Sequence, residues 1–262
     1  MLNRWVVIAH KEVVESLRDI RSLVSALFYA LMGPLVVGLV AVATRAQSKP
    51  ESAVMLIAMM SVFTLVSAFV GGMSVAMDTV AGERERRSLL PLLLNPVSGL
   101  DLAAGKWIAV SIFATAGLAI NIVGFAAVFS CAAPIIEPGV WLRSLPVMII
   151  AMLPLALLAA AMQFAVSAAC RALKEAQTYL SMLVFLPMGI GMLVVFVPAA
   201  GMGWRAMAPL AGHQLQLQRI LSGETVPIRQ AIALACLTAL PTLLLVRFAA
   251  ARFERHELVF GN

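Results

Sequence analysis

The chain has 262 residues, of which 62% are hydrophobic and only 12% charged, about half the charged share of an ordinary soluble domain. Six stretches of about 22 residues are nearly free of charge, and each is long enough to cross a hydrocarbon core of about 30 Å as a helix. That excludes a water-soluble fold, and what remains is too short and too divided for a separate catalytic domain, which takes about 100 residues.

At the N-terminus, Leu2, Val6, Ala9, Val13, Leu17 and Ile20 share one helical face while Arg4, Lys11 and Arg18 recur every seven residues on another. Residues 1–21 therefore read as an amphipathic interfacial helix with Trp5 at headgroup depth, able to lie on a bilayer or pack on a partner protein. Seven charges in the first 21 residues precede any long apolar run, which argues against a cleavable signal peptide. The apolar runs place spans near 22–43, 54–77, 107–130, 144–169, 178–199 and 228–249. With both termini on one side, that side collects thirteen of the 19 Lys and Arg residues. The positive-inside rule makes it the cytoplasmic side. The net charge of +6 follows from this bias, and nothing points to nucleic acid.

Between spans two and three, residues 78–106 read as a cytoplasmic loop longer than a simple connection needs. A dense charged cluster, Glu83-Arg84-Glu85-Arg86-Arg87, is followed by Leu89, Leu90, Leu92, Leu93 and Leu94. Pro91 suits the first turn of a short helix and Pro96 its end. Such a helix is too short to cross a bilayer and too apolar for water, so it calls for a protein partner. The short charged loop 171–177, with Lys174 and Glu175, is placed to make a second contact with that partner or to serve as a plain turn. Residues 200–227 carry Trp204, Pro209, His213 and scattered leucines without a long run. They read as one or two short helices in, or dipping into, the outer leaflet, because irregular backbone at that depth needs protein or water around it.

Three spans carry small or polar residues at helical spacing: Ser61, Thr64, Ser67, Gly71 and Ser74; Ser111, Gly117, Asn121 and Gly124; Ala156, Ala160, Gln163 and Ser167. Close helix packing accounts for such faces in general. Ser67, Gly71, Asn121 and Gln163 are the candidates for lining a substrate path, since buried amides require partners. No Asp or Glu lies mid-span, which disfavours a proton relay or dehydrated cation site and favours an amphipathic, lipid-like or peptide cargo. Cys131, Cys170 and Cys236 stand apart, as do His10, His213 and His256, so neither a disulfide nor a metal site is expected. No GxxxxGK[ST] or HExxH occurs, and no catalytic residues or cofactor site are expected in this chain.

The segment GERERRSLLPLLLNPVSGLDLAAGKW and the later KEAQTYLS from Lys174 to Ser181 resemble those of permeases of the ABC type-2 exporter superfamily, in particular its NatB-like sodium-extrusion branch. The resemblance extends over essentially the whole chain. It implies an all-α polytopic membrane protein forming one transmembrane domain over 1–262, with six spans, an N-terminal interfacial helix and a cytoplasmic coupling helix. It also implies a bacterial-type inner membrane, a second permease copy, identical or related, and two ABC ATPase subunits that bind ATP and Mg. By position in the motif, Glu83, Arg84, Glu85, Arg86, Arg87, Ser88 and Leu89 fall in the ATPase contact, with Lys174 and Glu175 beside it. Sodium is the cargo by analogy. A stand-alone secondary transporter or channel, and a non-transporting scaffold, are the competing expectations.

Overall fold

Among the residues described by the structure, a computed structural model covering 4–44, 50–86, 98–131, 138–197 and 203–253, every regular element is helical. An amphipathic α1 (Arg4–Arg18) leads through Asp19 into α2 (Ile20–Thr44), the first span. Asp19 begins α2 by accepting from the Arg21 N–H at 3.2 Å and from the Ser22 hydroxyl, the role an N-cap carboxylate fills. Span two is composite: α3 (Pro50–Val70), a break at Gly71-Gly72, the short α4 (Met73–Ala76), a π-helical turn (Met77–Gly82) and α5 (Glu83–Glu85). Span three is α6 (Gly99–Cys131) and span four α7 (Pro138–Ala169). Span five is α8 (Leu173–Leu183) and α9 (Phe185–Phe196), and span six is α11 (Ile228–Phe253). Between the last two lie a 3₁₀ turn (Gly203–Met207) and α10 (Pro209–Leu221). Six helices or composite helices are long and apolar enough to cross a membrane.

The observed helices outrun the expected spans on the α1 side. Span two continues to Glu85 and span three starts at Gly99, so both ends of the expected 78–106 loop are helix. The leucine run and its two prolines lie in 87–97, outside the described residues. Charge misleads here: Glu83 and Lys106 look like loop residues, yet they neutralise one another inside the protein. Likewise α8 begins at Leu173 rather than 178, with Lys174 and Glu175 in its first turn.

Span three is the axle of the bundle, packed against α1, α2, α3, α7 and α11. Small residues permit the close crossings. A Cβ on Gly117 would stand 2.8 Å from the Gly71 Cα, and one on Gly105 would stand 2.7 Å from the Ile8 side chain and 2.9 Å from the Trp5 carbonyl. Helices therefore touch backbone to backbone at these points, as small residues allow within a membrane. Leu65, Phe69, Leu118, Phe125, Met152 and Leu155 fill the main core, while Val80, Leu102, Phe164 and Phe253 fill a second one near α1.

Within the segment read as lying in or dipping into the outer leaflet, Trp204 and the turn after Leu221 are exposed while α10 is largely enclosed by protein. Nine residues of α10 are buried, and the helix packs against α3, α7, α9 and α11. Ser61 of span two anchors it by accepting from Gln214 at 3.2 Å and Gln218 at 2.9 Å, and Gln214 also donates to the Gly191 carbonyl at 3.0 Å. The amide nitrogens of Gln214 and Gln218 thus find partners inside the protein, as polar groups at that depth require, while Gln214 Oε1 has none among the described residues. Gly223, at φ +76°, closes the helix in the left-handed conformation that glycine adopts without steric cost.

Candidate functional site: a charged joint at the end of span two

The site grows from one buried lysine. Lys106 sits in the second turn of α6, fully enclosed, and its ammonium makes three bonds: 2.8 Å to Glu12 Oε1, 2.7 Å to Glu83 Oε2 and 2.7 Å to the Thr79 carbonyl. An ammonium has three donors, and all are used. Glu12 belongs to α1, Glu83 to the end of span two and Thr79 to the π turn, so one side chain ties three elements together. Lys11 extends the cluster outward, with 3.1 Å to Glu83, 3.4 Å to Glu12 and 3.2 Å to Glu15. Burial works to lower the Lys11 pKa, but the Glu12 and Glu83 charges and the hydrogen bonds to Glu83 and Glu15 together outweigh it and raise it above the ordinary lysine value. Lys11 therefore stays charged throughout the neutral range.

The residues after Glu83 each reach a different neighbour. Arg84 donates to the Cys170 carbonyl and, at 3.3 Å, to the Ala168 carbonyl, capping the C-terminal end of span four, where a helix presents partial negative charge. Glu85 accepts from the Leu173 N–H at 3.0 Å, at the positive N-terminal end of span five. Arg86 turns back across the π turn to Asp78 at 3.0 Å and the Gly82 carbonyl at 3.3 Å. Four consecutive side chains thus reach α1, α6, the α7–α8 corner and their own helix. The π turn beneath them is itself a recurrent mark of functional sites. Glu175 holds the corner from below by accepting from the Arg171 N–H at 2.7 Å. Burial, then the Glu175 carboxylate, push the Cys170 thiol pKa up, with Arg84 offsetting part of this; the thiol remains protonated and unreactive at neutral pH.

Of the residues assigned by sequence to an ATPase contact, Glu83, Arg84, Glu85 and Arg86 are thus engaged within the chain, and Lys174 is exposed on α8. Arg87, Ser88 and Leu89 lie outside the described residues. The four residues considered for a substrate path sit in the helix crossings. Ser67 donates to the Gly117 carbonyl at 3.2 Å. Asn121 donates to the Ala30 carbonyl at 2.8 Å and accepts from Thr64 at 3.1 Å. Gln163 donates to the Phe69 carbonyl beside the span-two break, and its Oε1 stands 2.9 Å from where a Cβ on Gly72 would be. All four are buried. They join spans one to four.

A family model described as ABC-2 family transporter protein matches residues 6–258. The chain belongs to the ABC-2 transporter family. It is also similar to the ABC transporter permease protein NatB of Bacillus subtilis (strain 168), with 36% identity over 152 residues. That alignment covers 54% of this chain and 38% of the relative, so the chain spans well under half of that relative's length. Within this ABC-2 protein, Glu83 to Arg86 and Lys106, from the two ends of the motif that carried the resemblance, belong to the charged joint.

Sequence reasoning missed Lys106, Glu12 and Lys11 as partners of this motif. Lys106 entered only as one of the cytoplasmic-side cations and as the lysine ending the resemblance motif, and Glu12 only as one of the seven early charges. A charge one turn inside a membrane helix must be paired, and that rule applied to Lys106 would have directed attention to nearby carboxylates.

Proposed function

We propose that this ABC-2 protein is the membrane-spanning permease subunit of an ATP-driven exporter, coupled to a separate ABC ATPase at the end that carries the charged joint. Glu83 to Arg86 joining α1 and spans three, four and five to span two, immediately before the leucine-rich segment, is the observation that carries this reading. An ATPase gripping 87–97 and Lys174 would then move the ends of several helices together rather than one loop. Two ATPase subunits with ATP and Mg, and a second permease copy, complete the assembly. The termini would face the cytoplasm of a bacterial-type inner membrane, as the Lys and Arg distribution favours.

The energetic requirement is modest. Shifting a two-state bundle from 1:99 to 99:1 takes about 5.5 kcal/mol of differential binding. A buried lysine held by two carboxylates and a carbonyl opposes opening of the joint, since separating such a partner costs about 3–5 kcal/mol, a magnitude comparable to that shift. Sodium remains the cargo by analogy with the branch; the absence of mid-span carboxylates supports an amphipathic cargo instead.

Purification of the chain from its native membrane in mild detergent, with mass spectrometry and an ATP hydrolysis assay on the eluate, tests the reading. An associated ABC ATPase is the expected result, lost on replacing Leu92 and Leu93 with Asp. A solitary chain, under conditions that hold other membrane complexes together, would overturn it.

A further inference from the structure

Among the described residues, every span but the third is interrupted at a similar level. Pro34 lies inside span one, Gly71-Gly72 inside span two, Pro154 inside span four, Val184 between the two helices of span five, and Pro241 inside span six. Counted from the ends nearest α1, these positions stand about 16–23 Å along their helices. Span three is one unbroken helix from Gly99 to Cys131, with no proline in it.

Two of the breaks are closed in the same way. Proline has no N–H, so Pro34 leaves the Ala30 carbonyl without its helical donor; Asn121 of span three supplies one at 2.8 Å. In span two the helical ladder runs to the Gly71 N–H on Ser67 at 2.9 Å and resumes with the Ala76 N–H on Gly72 at 2.9 Å, which leaves the Phe69 carbonyl without its donor from Met73. Gln163 of span four supplies that one. Each amide enters beside a glycine: a Cβ on Gly33 would stand 3.2 Å from Asn121 Nδ2, and one on Gly72 would stand 2.9 Å from Gln163 Oε1. Span three also presents a glycine to each break, since a Cβ on Gly124 would stand 2.9 Å from the Pro34 ring and one on Gly117 2.8 Å from the Gly71 Cα. Carbonyls freed at membrane depth need such donors, and breaks of this kind are where helices kink.

The ends nearest α1 are fastened to one another. Lys106 holds α1, span two and span three, Arg84 and Glu85 reach spans four and five, and Phe253 of span six packs on Phe164 of span four. We propose that the breaks form a hinge level at which the other spans bend about unbroken span three, and that Asn121 and Gln163 are its positioning residues, holding the opened ladders of spans one and two in register. Gln163 Oε1, without a partner among the described residues, leaves an acceptor beside the open turn of span two. That the bend serves transport rests on the exporter reading; the hinge itself does not.

Spin-label distances on the full chain in nanodiscs test the hinge, with or without a bound ATPase. Val24 and Leu39 are exposed on span one on either side of Pro34, and Leu100 and Ile120 are exposed on span three on either side of the same level. The span-one pair is expected to give the broader distance distribution. Asn121→Leu should broaden it further and lower the thermal midpoint by a few degrees, as loss of the donor to a buried carbonyl implies. Thr64, which also meets Asn121, keeps its bond to the Met60 carbonyl at 2.8 Å, so the loss falls on Ala30. Pro34→Ala restores the missing N–H; it should narrow the span-one distribution and make Asn121→Leu nearly neutral, a rescue that space-filling by Asn121 would not produce. Equal widths for the two pairs, or an Asn121→Leu effect of the same size with and without Pro34→Ala, overturns the proposal. If Asn121→Leu alone does not fold, a folded double variant supports it and an unfolded one counts against it.

Discussion

Lys106 shows how a charge becomes structural when its surroundings are built for it. Lys106→Ala would leave Glu12 and Glu83 with only the half-exposed Lys11 as a cation, and the poorly compensated carboxylates make this worse than the loss of one attraction. A destabilisation of about 3–5 kcal/mol is expected, read as a fall in thermal midpoint of the detergent-solubilised protein. Lys106→Met combined with Glu12→Gln and Glu83→Gln should recover much of it, because replacing a buried ion cluster with neutral groups is often close to neutral. A triple variant no more stable than Lys106→Ala would show that the cluster is not the source of the effect. Arg84 and Glu85 act differently: each satisfies backbone groups at a helix end, so their effect is on the corner between spans four and five.

At the scale of elements, the contact between α1 and span three rests on Gly105. A side chain there meets the Ile8 side chain and the Trp5 carbonyl, and the backbone carbonyl cannot move aside without moving α1. Gly105→Val is expected to lift α1 while leaving the spans folded, seen as faster proteolysis near Arg4 and a changed Trp5 emission at unaltered helix content. Unchanged protection of α1 would contradict the contact. The six spans and the amphipathic α1 were legible in the sequence because apolar length and heptad-spaced charge record them directly. The ends of spans two, three and five were not, since a charged residue reads as loop unless its partner is known. Glu83 and Lys106 are 23 residues apart and Glu12 is 94 from Lys106, separations over which a single sequence carries no pairing signal. The buried position of α10 was only half legible, because its amides disclose a need for partners but not that Ser61 supplies them.

Across the whole molecule, the charged motif was visible before the fold was, whereas its direction was not. Glu83 and Arg84, which suggest an external contact, are half-buried and bind within the chain, while Glu85 and Arg86 bind within it and remain exposed. Among the candidate path residues, Asn121 is paired at both ends of its amide, whereas Gln163 donates to the Phe69 carbonyl and its Oε1 has no hydrogen-bond partner among the described residues. Under the proposed coupling to an ATPase at this end of the protein, α1, the end of span two and span three move as one body. Spin labels at Val7 and Leu100, both exposed, allow a direct measurement of their separation in the assembled complex with and without ATP. A joint held by Lys106 predicts the same narrow distance distribution in both states, broadened in Lys106→Ala; a separation that shifts with ATP in the unmodified protein would contradict it.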